Sequence, residues 1–265
     1  MTARLREAFA IAARENRAAL VAYLTFGDPD PETSIAVVEA VAHAGADVIE
    51  LGVPFSDPSA DGPSIQRAME RALDAGASLP GALAAVAELR ARGIATPIVL
   101  FGYYNPIFVM GPDAFAARAK AAGIDAVLTV DLPIDELAEL ATPLAREGLA
   151  VIPLVAPTST PQRIARVESL AAPFVYYISL TGVTGSRASA PVDPARIAMI
   201  RDAARAPVAV GFGIRTPDDA RRFSAIADGV VVGTALVDRV AAGDAAGAPE
   251  RVASLVRDLR AAMPR

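Results

Sequence analysis

The chain has 265 residues, 53% of them hydrophobic, and a formal net charge of −5. It contains no basic run, which argues against nucleic acid as its main partner. With no cysteine it can hold neither a disulfide framework nor a thiolate metal site.

At the N-terminus, Leu5, Ala8, Phe9 and Ala12 recur at helical spacing while Arg4, Arg6, Glu7, Arg14 and Glu15 share the other face, so an amphipathic helix is expected rather than a signal peptide. No apolar run approaches the roughly 20 residues of a membrane span, and the expected location is cytoplasmic. Strands are then predicted at 19–26, 47–53, 97–104, 126–132, 150–156, 174–180, 207–212 and 229–233. Their near-continuous apolar character suits parallel strands covered on both faces. Asp30 before Pro31 and Thr216 before Pro217 mark helix starts. Helix stops recur as Gly45, Gly93, Gly123 and Gly148, each just before the next strand. Eight βα units of roughly 30 residues with no linker predict an α/β chain, one (β/α)8 TIM barrel over residues 1–265 with an extra N-terminal helix. An open doubly wound sheet is the alternative, but it has no need of eight similar units.

Chemistry in such a barrel sits at the C-terminal ends of the strands. Lys120 and His43, the single lysine and the single histidine, both fall on helices away from that face. The acid–base groups that remain are carboxylates and tyrosines. In "ELGVPFSDPSADGP", strand alternation puts Val48, Glu50 and Gly52 on one face. A Glu50 facing the interior near the mouth would have its pKa raised by desolvation and could exchange a proton near neutral pH. Asp61 follows in a loop held by Pro54, Pro58 and Pro63, where "DGPS" also reads as a helix N-cap region. Asp57 reads more simply as a turn former. Asp131, ending the fourth strand, fits an acid–base group, a partner to one, or an interface residue.

Late in the chain, "GVTG" (182–185), "GFG" (211–213) and "GT" (233–234) end three successive strands. Glycines there let backbone N–H groups approach an anion, and the helix starting at Thr234 would aim its N-terminus at the same point. Tyr23, Phe101, Tyr103, Tyr176 and Phe212 lie at or near strand ends and suggest a substrate with a flat apolar body and a phosphate tail.

"YLTFGDP", "ELGVPFSDPSADGPSIQ", "GVTG" and "GFGI" resemble the tryptophan synthase alpha chain family, and the likeness runs the length of the chain. The resemblance implies retro-aldol cleavage of indole-3-glycerol phosphate to indole and glyceraldehyde 3-phosphate. It implies Glu50 as the general acid–base group and Asp61 as the carboxylate that binds the indole N–H. Tyr23, Phe101, Tyr176 and Phe212 would line the indole pocket. Thr184 would secure Asp61 when loops at about 54–62 and 181–192 close. Gly185, Gly213, Gly233 and Thr234 would hold the phosphate. No cofactor is implied in this chain; pyridoxal phosphate would belong to a β subunit, in an α2β2 assembly met by Asp57, Tyr103, Asn105 and Asp131. Two residues depart from the pattern. Tyr23 stands where many members have phenylalanine, and Leu180 where many have arginine. A stand-alone indole-glycerol phosphate lyase, a sugar-phosphate isomerase and a non-catalytic activator of the β subunit are the competing readings.

Overall fold

Runs of Val, Ile and Leu without alternating polar residues form strands that are buried on both faces. A computed structural model describes residues 3–178, 193–211 and 213–263. Its strands are β1 (Ala19–Thr25), β2 (Val48–Gly52), β3 (Ile98–Gly102), β4 (Ala126–Thr129), β5 (Ala150–Val151), β6 (Leu154–Val155), β7 (Val175–Ile178), β8 (Val208–Gly211) and β9 (Gly229–Val232). They pair in parallel, in the order β5-β4-β3-β2-β1-β9-β8-β7-β6. β5 and β6 are halves of the one strand expected over 150–156, parted at Ile152 and Pro153. Proline has no N–H for the ladder, but Ile152 N–H donates to the Val127 carbonyl (2.8 Å) and the Pro153 carbonyl accepts from Tyr176 N–H (3.0 Å). Both ends of the sheet therefore meet in one extended stretch, and the sheet closes into a barrel.

Among the described residues the helices are α1 (Ala3–Arg14), α2 (Pro31–His43), α3 (Pro63–Asp74), α4 (Leu79–Ala91), α5 (Tyr104–Met110), α6 (Pro112–Ala122), α7 (Ala138–Arg146), α8 (Pro161–Val167), α9 (Pro194–Ala204), α10 (Pro217–Ser224), α11 (Thr234–Ala241) and α12 (Ala248–Ala261). None is long and apolar enough to cross a membrane by itself. Asp30 caps α2 by accepting Thr33 N–H at 2.8 Å, and Thr216 with Asp219 forms a capping box at α10. The four expected helix-stop glycines all take positive φ. The third strand is shorter than expected: the chain leaves the sheet at Gly102, and Tyr103 becomes the N-cap of α5. Pro106 explains the difference, because the first turn of a helix tolerates a proline and a central strand does not.

Strand alternation sorts the core into two layers. Ile49, Leu51, Ile98, Leu100 and Val127 face the helices. Val21, Tyr23, Val48, Val99, Phe101, Leu128 and Ile152 face inward. At the N-terminal end the barrel wall is small (Ala19, Ala126, Ala150, Ala209 and Gly229), and α1 fills the space. Its Phe9 stacks on Phe174 with centroids 5.0 Å apart, and a methyl group at Gly229 would come within 3.0 Å of the Phe9 ring. The barrel is thus stoppered at one end.

That end also carries a repeated clamp. Asp47, Asp125 and Asp228 directly precede β2, β4 and β9. Each carboxylate accepts an N–H at the start of the neighbouring strand: Leu20 at 2.8 Å, Ile98 at 2.9 Å and Val208 at 2.9 Å. Each also meets arginine: Arg17 for Asp47 (2.6 Å), Arg4 and Arg90 for Asp125 (2.7 and 2.9 Å), and Arg201 for Asp228 (2.8 Å).

Candidate active site

The open end of the barrel treats its carboxyl groups differently. Glu50, the third residue of β2, is in register with Tyr23 of β1 and Val99 of β3. It is 0% exposed, and among the described residues neither carboxyl oxygen has a hydrogen-bond partner. Burial without compensation favours the neutral acid, and its pKa is pushed up to about 8.

Asp61 is 4% exposed and sits in the loop between β2 and α3. Its Oδ2 accepts the Tyr103 hydroxyl at 2.8 Å. Burial raises its pKa to about 6, and the Tyr103 hydrogen bond holds it below what burial alone would give. At pH 7 the two groups therefore differ in state, with Glu50 mainly an acid and Asp61 mainly an anion. The Asp61 loop is fastened from several sides. Asp61 N–H donates to the Pro58 carbonyl (3.0 Å), and the Gln66 side-chain amide donates to the carbonyls of Asp61 (2.9 Å) and Pro58 (3.3 Å). Ala60 N–H donates to the Tyr103 hydroxyl (3.0 Å), and Phe55 stacks on the Tyr103 ring at 4.8 Å.

Aromatic rings close the space around these groups. Tyr23 meets Phe101 edge-on, with centroids 5.1 Å apart and planes at 78°. On two separate strand pairs, two phenols lie over glycines of the adjacent strand. A Cβ at Gly52 would be 2.4 Å from the Tyr23 hydroxyl, and a Cβ at Gly211 would be 2.4 Å from that of Tyr176. Only glycine leaves room for either hydroxyl. Tyr176, Leu154, Phe55 and Val130 are half-buried, which marks the open mouth.

Gly213 and Gly233 follow β8 and β9, and Thr234 is the first residue of α11. Gly213 is exposed with φ of 65°, and Gly233 is the N-cap of α11. The first N–H groups of such a helix have no intrahelical partner. Thr184, Gly185, Phe212 and Leu180 lie outside the described residues. Asp57, Asn105 and Asp131 are exposed around the mouth, and Asp131 accepts Tyr104 N–H at 2.8 Å. Tyr103 stands apart from these three: it is 5% exposed and turned inward onto Asp61. Continuing the alternation from Phe101 past Gly102 would have placed Tyr103 inside, whereas no local pattern marked Gln66. His43 and Lys120 sit in the last turns of α2 and α6, away from the mouth. Among the described residues, no three His, Asp or Glu side chains are grouped to hold a metal ion.

A barrel stoppered at one end, with a neutral buried acid, an anionic partner and aromatic walls at the other, defines an acid–base enzyme acting on a small aromatic substrate. A family model described as tryptophan synthase alpha chain matches residues 9–263, and the chain belongs to that family of lyases of tryptophan biosynthesis, which cleave indole-3-glycerol phosphate. The tryptophan synthase alpha chain of Geobacter sulfurreducens is 49% identical over 261 residues, covering 98% of each chain. That of Nitrosococcus oceani is 47% identical over 264 residues, covering 98% of this chain and 97% of its own. A chain in a structure of Mycobacterium tuberculosis tryptophan synthase superimposes with a TM-score of 0.89 at 38% identity, over 99% of this chain and 98% of that one.

Proposed function

We propose that Glu50 and Asp61 carry out the retro-aldol cleavage of indole-3-glycerol phosphate, with Glu50 moving both protons. Glu50, neutral at the start, gives its proton to C3 of the indole ring. The positive charge that develops on the ring nitrogen is held by the Asp61 carboxylate. The C3–side-chain bond then breaks as the side-chain hydroxyl surrenders its proton to Glu50 and its oxygen becomes the aldehyde of glyceraldehyde 3-phosphate. One proton leaves Glu50 and one returns, so indole departs with the acid form restored and no redox step is needed. The observation that carries this reading is the split in protonation between two buried carboxyl groups in one aromatic pocket, Glu50 at about 8 and Asp61 at about 6.

Tyr23, Phe101, Tyr176 and Phe212 would hold the indole, and Gly185, Gly213, Gly233 and Thr234 the phosphate. Thr184 would secure Asp61 on closure. The partner is a tryptophan synthase β subunit, in an α2β2 assembly, approached through Asp57, Asn105 and Asp131, with Tyr103 just beneath them. Pyridoxal phosphate belongs to that partner, and this chain's own step uses no cofactor. The setting is cytoplasmic.

The test is indole release from indole-3-glycerol phosphate by the purified chain, with and without a β subunit. Slow release that rises sharply with the partner is expected. Fast release unchanged by the partner would point to a free-standing lyase, and no release in either case would overturn the roles of Glu50 and Asp61.

A further inference from the structure

Tyr23 is placed where three parts of the site converge. Its Cα is in register with that of Glu50. Its ring meets Phe101, on the wall of the aromatic pocket. On another side a methyl group at Gly233, where α11 begins, would touch the ring at 3.4 Å. A substrate with its flat body against Phe101 and its anion at Gly233 and Thr234 must run the connecting carbons past the Tyr23 ring.

The Tyr23 hydroxyl is short of partners. It lies over Gly52, and among the described residues its one side-chain hydrogen bond is accepted from the Thr25 hydroxyl at 3.5 Å, the long limit of such a bond. Thr25 is 4% exposed and shares the inner face with Tyr23. Two hydroxyls have two protons and four lone pairs between them, so a single long contact leaves both donor and acceptor capacity unused in a buried place. Among the described residues the neighbouring Glu50 carboxyl has no hydrogen-bond partner either.

We propose that the hydroxyls of Tyr23 and Thr25 form a subsite that reads a hydroxyl on the substrate's alkyl side chain beside Glu50, which makes Tyr23 a specificity-determining residue. The subsite favours a hydroxylated alkyl phosphate over a plain one, and it rests on the cleavage reading above. Burial, reinforced by Asp61 and Glu50, holds the Tyr23 phenol well above its ordinary range, so it stays a hydrogen-bond donor at neutral pH.

The experiment compares the intact chain with Tyr23→Phe and Thr25→Val, each assembled with a β subunit. Two ligands are used: indole-3-glycerol phosphate, and indole-3-propanol phosphate, which has no side-chain hydroxyl. For Tyr23→Phe, kcat/KM on the hydroxylated substrate should fall about tenfold, the worth of one neutral hydrogen bond, while the Kd of the hydroxyl-free ligand stays within about twofold. Thr25→Val should change the two ligands in the same directions. Equal losses for both ligands would reveal mere packing, and no loss for either would reveal an idle hydroxyl; each overturns the subsite. If the unmutated assembly neither cleaves the first ligand nor binds the second, the cleavage reading falls and takes the subsite with it.

Discussion

The two ends of this barrel use their carboxyl groups in opposite ways. At the N-terminal end Asp47, Asp125 and Asp228 each receive a strand N–H and at least one guanidinium. Among the described residues at the C-terminal end, the Glu50 carboxyl receives no hydrogen bond and the Asp61 carboxyl receives one phenol. A carboxylate paired with a guanidinium and a strand N–H pins strands together. An unpaired, buried one is costly to ionise, so its proton is exchangeable near neutral pH. The strand-pinning ion pairs gather at one end and the carboxyl groups of the proposed proton chemistry at the other, as the fold's architecture favours.

Mutations at the two ends should separate these roles. The largest expected effect is on turnover: Glu50→Gln keeps the shape, removes the exchangeable proton and should lower kcat by about 10²- to 10⁴-fold. Indole release measures the loss, and a soluble, folded variant with near-normal activity would break the contrast. At the other end, Asp125→Ala strands Arg4, Arg90 and the Ile98 N–H and should cost about 3–5 kcal/mol in denaturant unfolding. Turnover per folded molecule should stay near that of the parent. Asp61→Asn removes the anion we propose for the ring nitrogen and should slow turnover about 10²-fold, with smaller change in stability. The smallest effect belongs to Tyr103→Phe. Loss of the phenol that holds Asp61 down should move the acid limb of the kcat/KM profile upward from about 6, with about a tenfold loss or less below neutral pH.

The stoppered end was largely legible in the sequence. Leu5, Ala8, Phe9 and Ala12 followed one helical face, and all four are buried. The strand positions were legible too, because runs covered on both faces have to be apolar throughout. Strand ends were less so: Pro106 turned the third strand into α5, and Pro153 divided the fifth. At the active end, Glu50 was conspicuous because a carboxylate inside an apolar run needs a partner, and no arginine lay near the mouth of an adjacent strand to pair with it. The contacts of Asp61 were hidden, since Tyr103 and Gln66 reach it from 42 and 5 residues away through a loop whose path no periodicity encodes. The arginine clamps were equally hidden. Arg4 and Asp125 lie 121 residues apart and meet only when the barrel closes.

The most direct test of this division is the titration of the Glu50 carboxyl itself, followed by carbon NMR of labelled glutamate with Glu50→Gln to assign the signal. Because the folded chain holds this proton more tightly than the unfolded one, Glu50 adds stability that is complete below about 4.5 and is lost as pH rises through about 8. A midpoint near 8, with that pH-dependent loss absent in Glu50→Gln, is the predicted result. A midpoint near the ordinary 4.5 would mean that Glu50 has a partner after all, and the contrast between the two ends of the barrel would fail.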